Sequence, residues 1–332
     1  SYYTSQSLTN RASDLSALLD SMGQGIQTIK AANEGIESIT EFVQQAKSVA
    51  NQARDEANKV ASSSGMYDST KIEAATKFQL SVTYNGETKS VEVTAPKAAA
   101  TGVEMAAKIQ EELEKLTFGT PATALGGDVF EVTYEDDAFK MTSANGEEAK
   151  ISFEVGGAKM DATAGNANRV KAISQFNDIL DQIDQLAKDS GYKGVNLLGG
   201  TDQSLTVIFN EDRSSNLTIQ GVDASTKGLD ISRVTNWGSN TNIDASIEEV
   251  EDAINELRNM ASEFGNNYSI VQNREDFTEN LINVLEEGSD KLVLADMNEE
   301  SANMLALQTR QQLGVNSLSL ASQAAQAVLK LF

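Results

Sequence analysis

Residues 8–57 read LTNRASDLSALLDSMGQGIQTIKAANEGIESITEFVQQAKSVANQARDEA, and the spacing of their apolar side chains determines the architecture. One position of a seven-residue repeat is apolar throughout, at Leu8, Leu15, Met22, Ile29, Ile36, Val43, Ala50 and Ala57. A companion position is apolar at Ala12, Leu19 and Ile26 in the first half of the segment. It then shifts, and in the second half the apolar residues are Ile39, Ala46, Ala53 and Val60. This alternation of three and four residues predicts one long helix that packs along a coiled-coil-like seam.

Three glycines interrupt this predicted helix, at Gly23, Gly25 and Gly35. Each costs about 1 kcal/mol relative to alanine in a helix interior. Either a close approach of another segment to the helix backbone or a local bend must offset that cost. The sequence leaves both explanations open.

The chain changes character between about residues 68 and 165, where both of its prolines fall. Alternating apolar residues at 78, 80, 82 and 84 lead into Asn85-Gly86, and Val91 and Val93 follow. A strand, an Asn-Gly turn and a returning strand form a β-hairpin. A helical spacing and three more strand spacings follow, at residues 106–116, 130–134, 139–141 and 151–155. We therefore predict an inserted α+β domain.

Helical periodicity returns after the insert. One helix is predicted at residues 173–187, and short strands are predicted around residues 205–209, 217–219 and 229–231. A second long helix carries Ile254, Leu257 and Phe264. Phe277, Leu281 and Val284 are expected to continue its apolar side. The predicted fold class is α+β, with long antiparallel coiled-coil-like helices that form an inner rod, a small β-hairpin region and an inserted α+β outer domain.

The last residues repeat the spacing of three and four up to the final position. We predict an assembly interface from this stripe, formed by Leu318, Ala321, Ala325, Val328, Leu331 and Phe332. The predicted seam of the inner helices consists of Leu8, Leu15, Met22, Ile29, Ile36, Val43, Ile254, Leu257 and Phe264. An amphipathic terminal helix must bury its stripe in its own chain or in other molecules. An intramolecular bundle and self-assembly are both open at this point.

Composition excludes several classes of function. The 332 residues contain no cysteine and no histidine, which removes thiolate nucleophiles, Cys/His zinc sites and imidazole catalysis. The 49 acidic and 26 basic residues leave a formal charge of -23, which disfavours binding to nucleic acid or to anionic membranes. No apolar run approaches the roughly 20 residues that a membrane-spanning helix needs. We predict a protein that is not an enzyme, holds no cofactor and does not insert into membranes.

Two acidic groups are the candidate cation sites. Glu135, Asp136 and Asp137 lie between two predicted strands, and their interpretation as a solvated turn is favoured over calcium binding because no EF-hand spacing surrounds them. The group Asp178, Asp181 and Asp184 has helical spacing and is interpreted as the polar side of an amphipathic helix. We accordingly predict no metal site. Trp237, the one tryptophan, is interpreted as a packing anchor rather than an exposed ligand platform.

Three separated segments resemble bacterial flagellins. The C-terminal one contains FGNNYSIVQNREDFTENL from Phe264, LADMNEESANMLALQTRQQLG from Leu294 and SLSLASQAAQAVLKLF from Ser317. The first segment of the chain is similar to the conserved N-terminal helix of the family through NRASDLSALLDSMGQGIQTIKAANEGIESI, between Asn10 and Ile39. The third is QFNDILDQIDQLAKDSGYKGVNLLGG, between Gln175 and Gly200, which is similar to the segment that returns from the outer domain.

The resemblance implies a structural subunit of a motility filament. Its implied domains are an inner helix at 1–66, an outer insert at 67–165, a return helix, β region and long helix at 166–289, and a filament-core helix at 290–332. Implied partners are other flagellin subunits, a flagellin export chaperone, the filament cap and hook-junction proteins, and a surface glycan or host ligand. The implied location is the extracellular flagellum, which subunits reach by type III export.

Two alternatives to the filament subunit stay open. One is a hook-filament junction protein, and the other is a cell-surface adhesin whose insert binds a glycan. The family's filament-core N-terminal helix has no counterpart before Ser1. We expect residues 290–332 to lack that partner in this chain, which should therefore polymerise poorly by itself.

Overall fold

The computed structural model describes residues 2–331, and the chain is a mixture of helix and sheet with a long C-terminal helix. The helices are α1 (Tyr2–Asp55), α2 (Gly102–Lys115), α3 (Ala167–Asp189) and α4 (Asn240–Leu331). The strands are β1 (Ala61–Ser62), β2 (Lys77–Tyr84), β3 (Glu87–Thr94), β4 (Thr117–Phe118), β5 (Thr123–Ala124), β6 (Phe130–Glu135), β7 (Ala138–Ser143), β8 (Ala149–Val155), β9 (Ala158–Ala164), β10 (Ser204–Ile208) and β11 (Asn216–Gln220). A 3₁₀ helix lies at Ser69–Lys71.

The chain divides into two compact units. The first, which we call the helical unit, contains residues 2–30, Ser204–Gln220 and residues 264–331. The second, which we call the mixed unit, contains Ala31–Gln203 and Gly221–Glu263. Helices α1 and α4 therefore contribute residues to both units.

The helical unit pairs the first part of α1 with α4 in antiparallel orientation. Ser5 hydrogen-bonds Ser289 at one end of the pair, and Nζ of Lys30 lies 5.9 Å from the ring centroid of Tyr268 at the other end. Between these ends a buried apolar cluster joins the two helices, formed by Ala12, Leu15, Ile282 and Leu285. The hairpin of β10 and β11 completes the unit.

The buried side of α4 differs from the predicted one beyond Phe264. Of the three residues expected to continue the stripe, Leu281 is partly buried against the apolar cluster. Phe277 and Val284 are 56% and 62% exposed, so the prediction is wrong for these two. The buried residues recur every seven positions instead, at Ile243, Val250, Leu257, Phe264, Val271, Thr278 and Leu285. The polar Thr278 occupies one of these positions and hides the repeat from an analysis of apolar spacing.

Helix α1 ends at Asp55, before the predicted seam positions Ala57 and Val60, which lie outside the helix and are exposed. The chain turns here toward the insert, where β1 pairs with β7. Side chains of α3 satisfy the carbonyl groups that follow α1. Nε of Arg169 donates to the Glu56 carbonyl oxygen at 2.5 Å, and Nδ2 of Asn166 donates to the Ala57 carbonyl oxygen at 2.9 Å. These bonds satisfy backbone carbonyl groups just past the end of the helix.

The insert contains two main antiparallel sheets. One has the strand order β3-β2-β8-β9, and the other has the order β1-β7-β6. Their buried side chains form one core with those of α2, and its largest fully buried members are Phe130, Phe139, Leu80, Met105, Ile109 and Leu113. Thr101 and Glu104 form a capping box at the start of α2, which fixes where this helix begins.

The predicted Asn-Gly hairpin is confirmed by the pairing of Tyr84 with Glu87. Asn85 and Gly86 have φ angles of 50° and 78°, the left-handed values that a two-residue type I′ turn requires. Asp136 and Asp137 have φ angles of 53° and 59° and connect β6 to β7 in the same way. The acidic group at 135–137 is therefore a hairpin turn.

One predicted strand is absent from the mixed unit. Leu229 and Ile231 are buried, but they belong to turns, with amides that donate to the carbonyl oxygens of Ser225 and Thr226. Asp230 between them has a φ angle of 56°, which is outside the range of a strand. Apolar spacing at residues 229–231 therefore reports burial and not strand pairing.

Close contacts with other segments explain two of the three glycines in α1. A Cβ atom on Gly25 would lie 2.9 Å from Cγ2 of Val207, and one on Gly35 would lie 2.6 Å from Cδ1 of Leu198. A Cβ atom on Gly23 would lie 3.7 Å from Oε2 of Glu275, an ordinary contact. Close approach, rather than bending, therefore offsets the low helix propensity of Gly25 and Gly35.

The substitution Gly35→Ala is expected to lower the free energy of unfolding by about 1–3 kcal/mol through overpacking. The added methyl group would also lie 2.8 Å from Cβ of Ser190, an atom that cannot rotate away. The matched control Gly23→Ala should raise stability by up to about 1 kcal/mol, because alanine has the higher helix propensity. Urea denaturation followed by circular dichroism tests both variants. Equal changes in the two would contradict this explanation.

Candidate assembly surface

The residues predicted as the inner seam lie on the buried sides of α1 and α4. Within α1, Leu8 is partly buried and the others are fully buried, at Leu15, Met22, Ile29, Ile36 and Val43. Within α4, Ile254, Leu257 and Phe264 are buried. These side chains stabilise the units of a single chain and leave little surface for another molecule.

Burial along α4 ends at a small polar cluster. Oγ of Ser289 lies 2.9 Å from Oγ of Ser5 and 2.9 Å from Oγ1 of Thr9. Ser5 and Ser289 are both buried, so these hydroxyl groups satisfy one another where the apolar core of the helical unit stops. From Ser289 onward α4 continues for more than ten turns without a buried residue up to Leu331.

The segment from 301 to 331, which we call the terminal segment, is exposed at every residue. Its charged residues are Arg310 and Lys330, in a chain whose formal charge is -23. Large apolar side chains are exposed along it, at Met304, Leu305, Leu307, Leu313, Val315, Leu318, Leu320, Val328, Leu329 and Leu331. Exposed apolar surface of this extent in a soluble protein indicates an interaction site.

The predicted assembly stripe lies in the terminal segment. Leu318 is 73% exposed and Leu331 is 86% exposed, and Ala321, Ala325 and Val328 are exposed as well. Phe332 lies outside the described residues. All five described members of the stripe are thus accessible to a partner, whereas the predicted seam residues are largely covered.

The acidic groups of α4 lie before the terminal segment. Burial raises the pKa of Glu275 above its ordinary value, and the nearby carboxylates of Asp276 and Glu279 add to that rise, whereas Lys30 opposes it. Arg274 lies beside this group, and its guanidinium stacks 4.6 Å from the ring centroid of Phe209 and donates to Oγ of Ser215 at 2.9 Å. Within the helical unit, the acidic residues of α4 therefore lie before residue 301, and the terminal segment is nearly uncharged.

Among residues 2–331, no helix combines the length and the hydropathy that crossing a bilayer requires. Alanine, serine and glutamine residues separate the large apolar side chains along the segment. Such a helix suits packing against protein side chains at close distance.

The second acidic candidate is engaged in local contacts. Oδ1 of Asp184 accepts hydrogen bonds from the amide and the hydroxyl group of Thr226, at 2.8 and 2.9 Å, and Asp181 pairs with Arg233. Within the described part of the chain, no group of three acidic side chains is placed to hold a metal ion. These carboxylates join α3 to the segment that follows β11.

Trp237 is fully buried, as its interpretation as a packing anchor predicts. Its ring lies 5.1 Å from that of Phe176, and Nε1 donates to Oγ of Ser246 at 3.0 Å. Arg169, which the sequence does not mark as a structural residue, is also buried and donates to the carbonyl oxygens of Glu56 and Trp237. An arginine in the first turn of a helix resembles a surface residue, so apolar spacing carried no signal for this role.

Comparison with known proteins relates the terminal segment to a family. Residues 247–332 match the family model of the bacterial flagellin C-terminal helical region. A flagellin of Brucella melitensis is 31% identical over 180 residues, which are 51% of this chain and 64% of that protein. Flagellin FljK of Caulobacter vibrioides is 29% identical over 53% of this chain and 64% of its own length. Flagellin C of Rhizobium meliloti is 43% identical over 86 residues, which are 26% of this chain and 27% of that protein.

The chain thus spans less than two thirds of the length of the first two relatives. The family match includes the whole terminal segment and the part of α4 that packs in the helical unit. The family match and these relatives show that the chain is similar to bacterial flagellins, most of all in the helical region at its C-terminal side.

Proposed function

We propose that the chain is a structural subunit of a bacterial flagellar filament, which assembles by packing of its terminal helix against neighbouring subunits. The observation that carries this proposal is the exposure of the terminal segment, which has many apolar and only two charged side chains. Burying apolar surface contributes about 25 cal/mol per Å², and a helix of this length can bury many such side chains. The interface stripe would be Leu318, Ala321, Ala325, Val328, Leu331 and Phe332.

The two units suggest how such a subunit would be arranged. We infer that α1 and α4 form an inner, coiled-coil-like rod and that the insert at 67–165 faces outward. The heptad burial of both helices supports the rod, and the independent core of the insert supports an outer domain. Residues 1–66 and 166–289 would belong to the rod, and residues 290–332 would form the filament core.

Further partners follow from this proposal. The apolar terminal segment would need a flagellin export chaperone before assembly, because an exposed stripe of this kind promotes aggregation. Export by the flagellar type III route would deliver the subunit to the extracellular filament, where it would meet the filament cap and hook-junction proteins. The relatives carry the name flagellin, which favours a filament subunit over the hook-filament junction alternative.

The proposal is tested with the natural gene product that carries this sequence. When it is mixed with fragments of its own filaments, it is expected to elongate them, and electron microscopy would show the growth. A mixture without fragments serves as the control for spontaneous aggregation. Absence of elongation in the seeded mixture, with a folded protein by circular dichroism, would rule out the filament role.

A further inference from the structure

The insert contains a cavity of about 430 Å³ that the assembly function does not use. It lies between the tip of the β2-β3 hairpin, the loop that carries β4 and β5, and the loop before β8. Its floor is apolar, because the side chains of Phe118 and Leu125 are buried there. Polar side chains of all three segments line the rest. An apolar floor with a few converging polar groups is the usual form of a small-molecule site.

Contacts between the three segments hold the cavity in shape. Oε2 of Glu87 accepts a hydrogen bond from the Gly119 amide at 2.9 Å, which ties the hairpin to the β4-β5 loop. The ring of Tyr84 packs edge-to-face on that of Phe118, with centroids 5.7 Å apart. On the remaining side, Oδ1 of Asn145 accepts from the Glu147 amide at 3.0 Å. The walls are therefore fixed before any ligand arrives, which lowers the entropic cost of binding.

The lining groups indicate the class of ligand. Asn85 supplies an amide, Tyr84 and Thr123 supply hydroxyl groups, and Glu147 supplies a carboxylate. Donors and acceptors are thus mixed, and none of the described lining residues is a lysine or arginine that would attract an anion. The charge of Glu87 is balanced by Nζ of Lys89 at 3.0 Å, and Oε2 of Glu147 accepts a hydrogen bond from the Tyr84 hydroxyl group at 3.3 Å. A sugar suits this mixture, because each hydroxyl group both donates and accepts.

We propose that this cavity binds a neutral sugar residue, such as the terminal unit of a glycan. The apolar C–H face of the sugar would rest on the floor of Phe118 and Leu125, and its hydroxyl groups would meet Tyr84, Asn85 and Glu147. The inference does not rest on the filament proposal, since the cavity lies entirely within the mixed unit. Failure of either proposal leaves the other standing.

The test uses the whole chain and saturation-transfer difference NMR with free glucose, galactose, mannose, fucose and N-acetylglucosamine. At least one sugar is expected to bind with a Kd of about 1 mM, as suits a single small ligand. Ala124→Trp, which places a large ring at the cavity wall, should abolish the signal. Tyr84→Phe, which removes one hydroxyl group and keeps the ring, should weaken binding by up to about tenfold.

A matched pair of turn variants separates lost contacts from lost folding. Asn85→Gly removes the amide and keeps a residue that accepts a positive φ, so it should weaken sugar binding severalfold while the hairpin stays folded. Asp136→Gly makes the corresponding change in the β6-β7 turn, whose residues do not line the cavity, and should leave binding unchanged. Butylammonium, an apolar cation, is tested beside the sugars as a ligand of another class. The proposal is overturned if no sugar of the panel binds, if sugar binding survives Ala124→Trp, or if butylammonium binds and the sugars do not.

Discussion

Replacing Arg169 by methionine is expected to lower the free energy of unfolding of the mixed unit by roughly 3 kcal/mol. The guanidinium is buried and donates to three carbonyl oxygens, those of Glu56, Trp237 and Gly238. Its remaining bond goes to Oδ1 of Asn240 at 2.6 Å. Each buried acceptor that loses its donor costs about 1–3 kcal/mol, and methionine can replace none of these bonds.

Burial of the charged Arg169 side chain costs free energy, and this cost reduces the loss of stability expected when the arginine is removed. Burial lowers the pKa of Arg169, and the charge of Arg54 lowers it further. Because Arg169→Met also removes this burial cost, the expected loss of stability is smaller than the sum of the contributions of four hydrogen bonds. Arg169→Lys should lose less stability than the methionine variant, because the lysine nitrogen can still donate to some of the acceptors.

Arg233→Met is the matched control for Arg169→Met. Arg233 pairs with Asp181 at the surface, where both side chains are about half exposed. Surface ion pairs contribute about 0–1 kcal/mol, so this variant should unfold almost as the parent does. Fluorescence of Trp237, the one tryptophan, reports on the site because its carbonyl oxygen is a partner of Arg169. Equal losses in the two variants would show that the buried bonds are not what stabilises this junction.

The same residue shows where sequence reasoning reaches its limit. The seam positions of α1 were predictable because a seven-residue repeat of apolar side chains leaves only one side of a helix to bury. Arg169 was not predictable, because its partners at residues 56, 237 and 238 are brought to it only by the folded chain. Hydrogen bonds between distant segments carry no periodic signal. Thr278 hides the α4 repeat for a related reason, since a polar side chain occupies a buried seam position.

The two candidate sites differ in whether their residues belong to one segment of the chain or to several. The terminal stripe can be read from apolar spacing because it lies on one continuous helix, and its role as an interface stays a prediction. The cavity of the insert was not, because Tyr84, Phe118 and Glu147 come from three segments that meet only in the folded unit. The turn at Asp136 and Asp137 was predictable as a turn, since aspartate tolerates the left-handed backbone conformation that a two-residue hairpin requires.

A single carboxylate on the terminal stripe is expected to prevent filament growth, whereas the same group on the opposite side of the helix should not. Ala325 belongs to the proposed interface, and Gln323 lies two residues away, about 200° around the helix at roughly 100° per residue. Both residues are exposed in the single chain, so neither Ala325→Glu nor Gln323→Glu should change its stability. In a packed interface, an unpaired buried carboxylate costs several kcal/mol.

Seeded elongation of the natural gene product measures the difference between these variants. Ala325→Glu should raise the concentration of free subunit at which growth stops by at least about a hundredfold, which corresponds to roughly 2.7 kcal/mol per added subunit. Gln323→Glu should stay within about threefold of the parent, and removal of residues 318–332 should abolish growth. If both glutamate variants grow alike, or if the truncated protein still elongates filaments, then the stripe is not the surface that joins subunits.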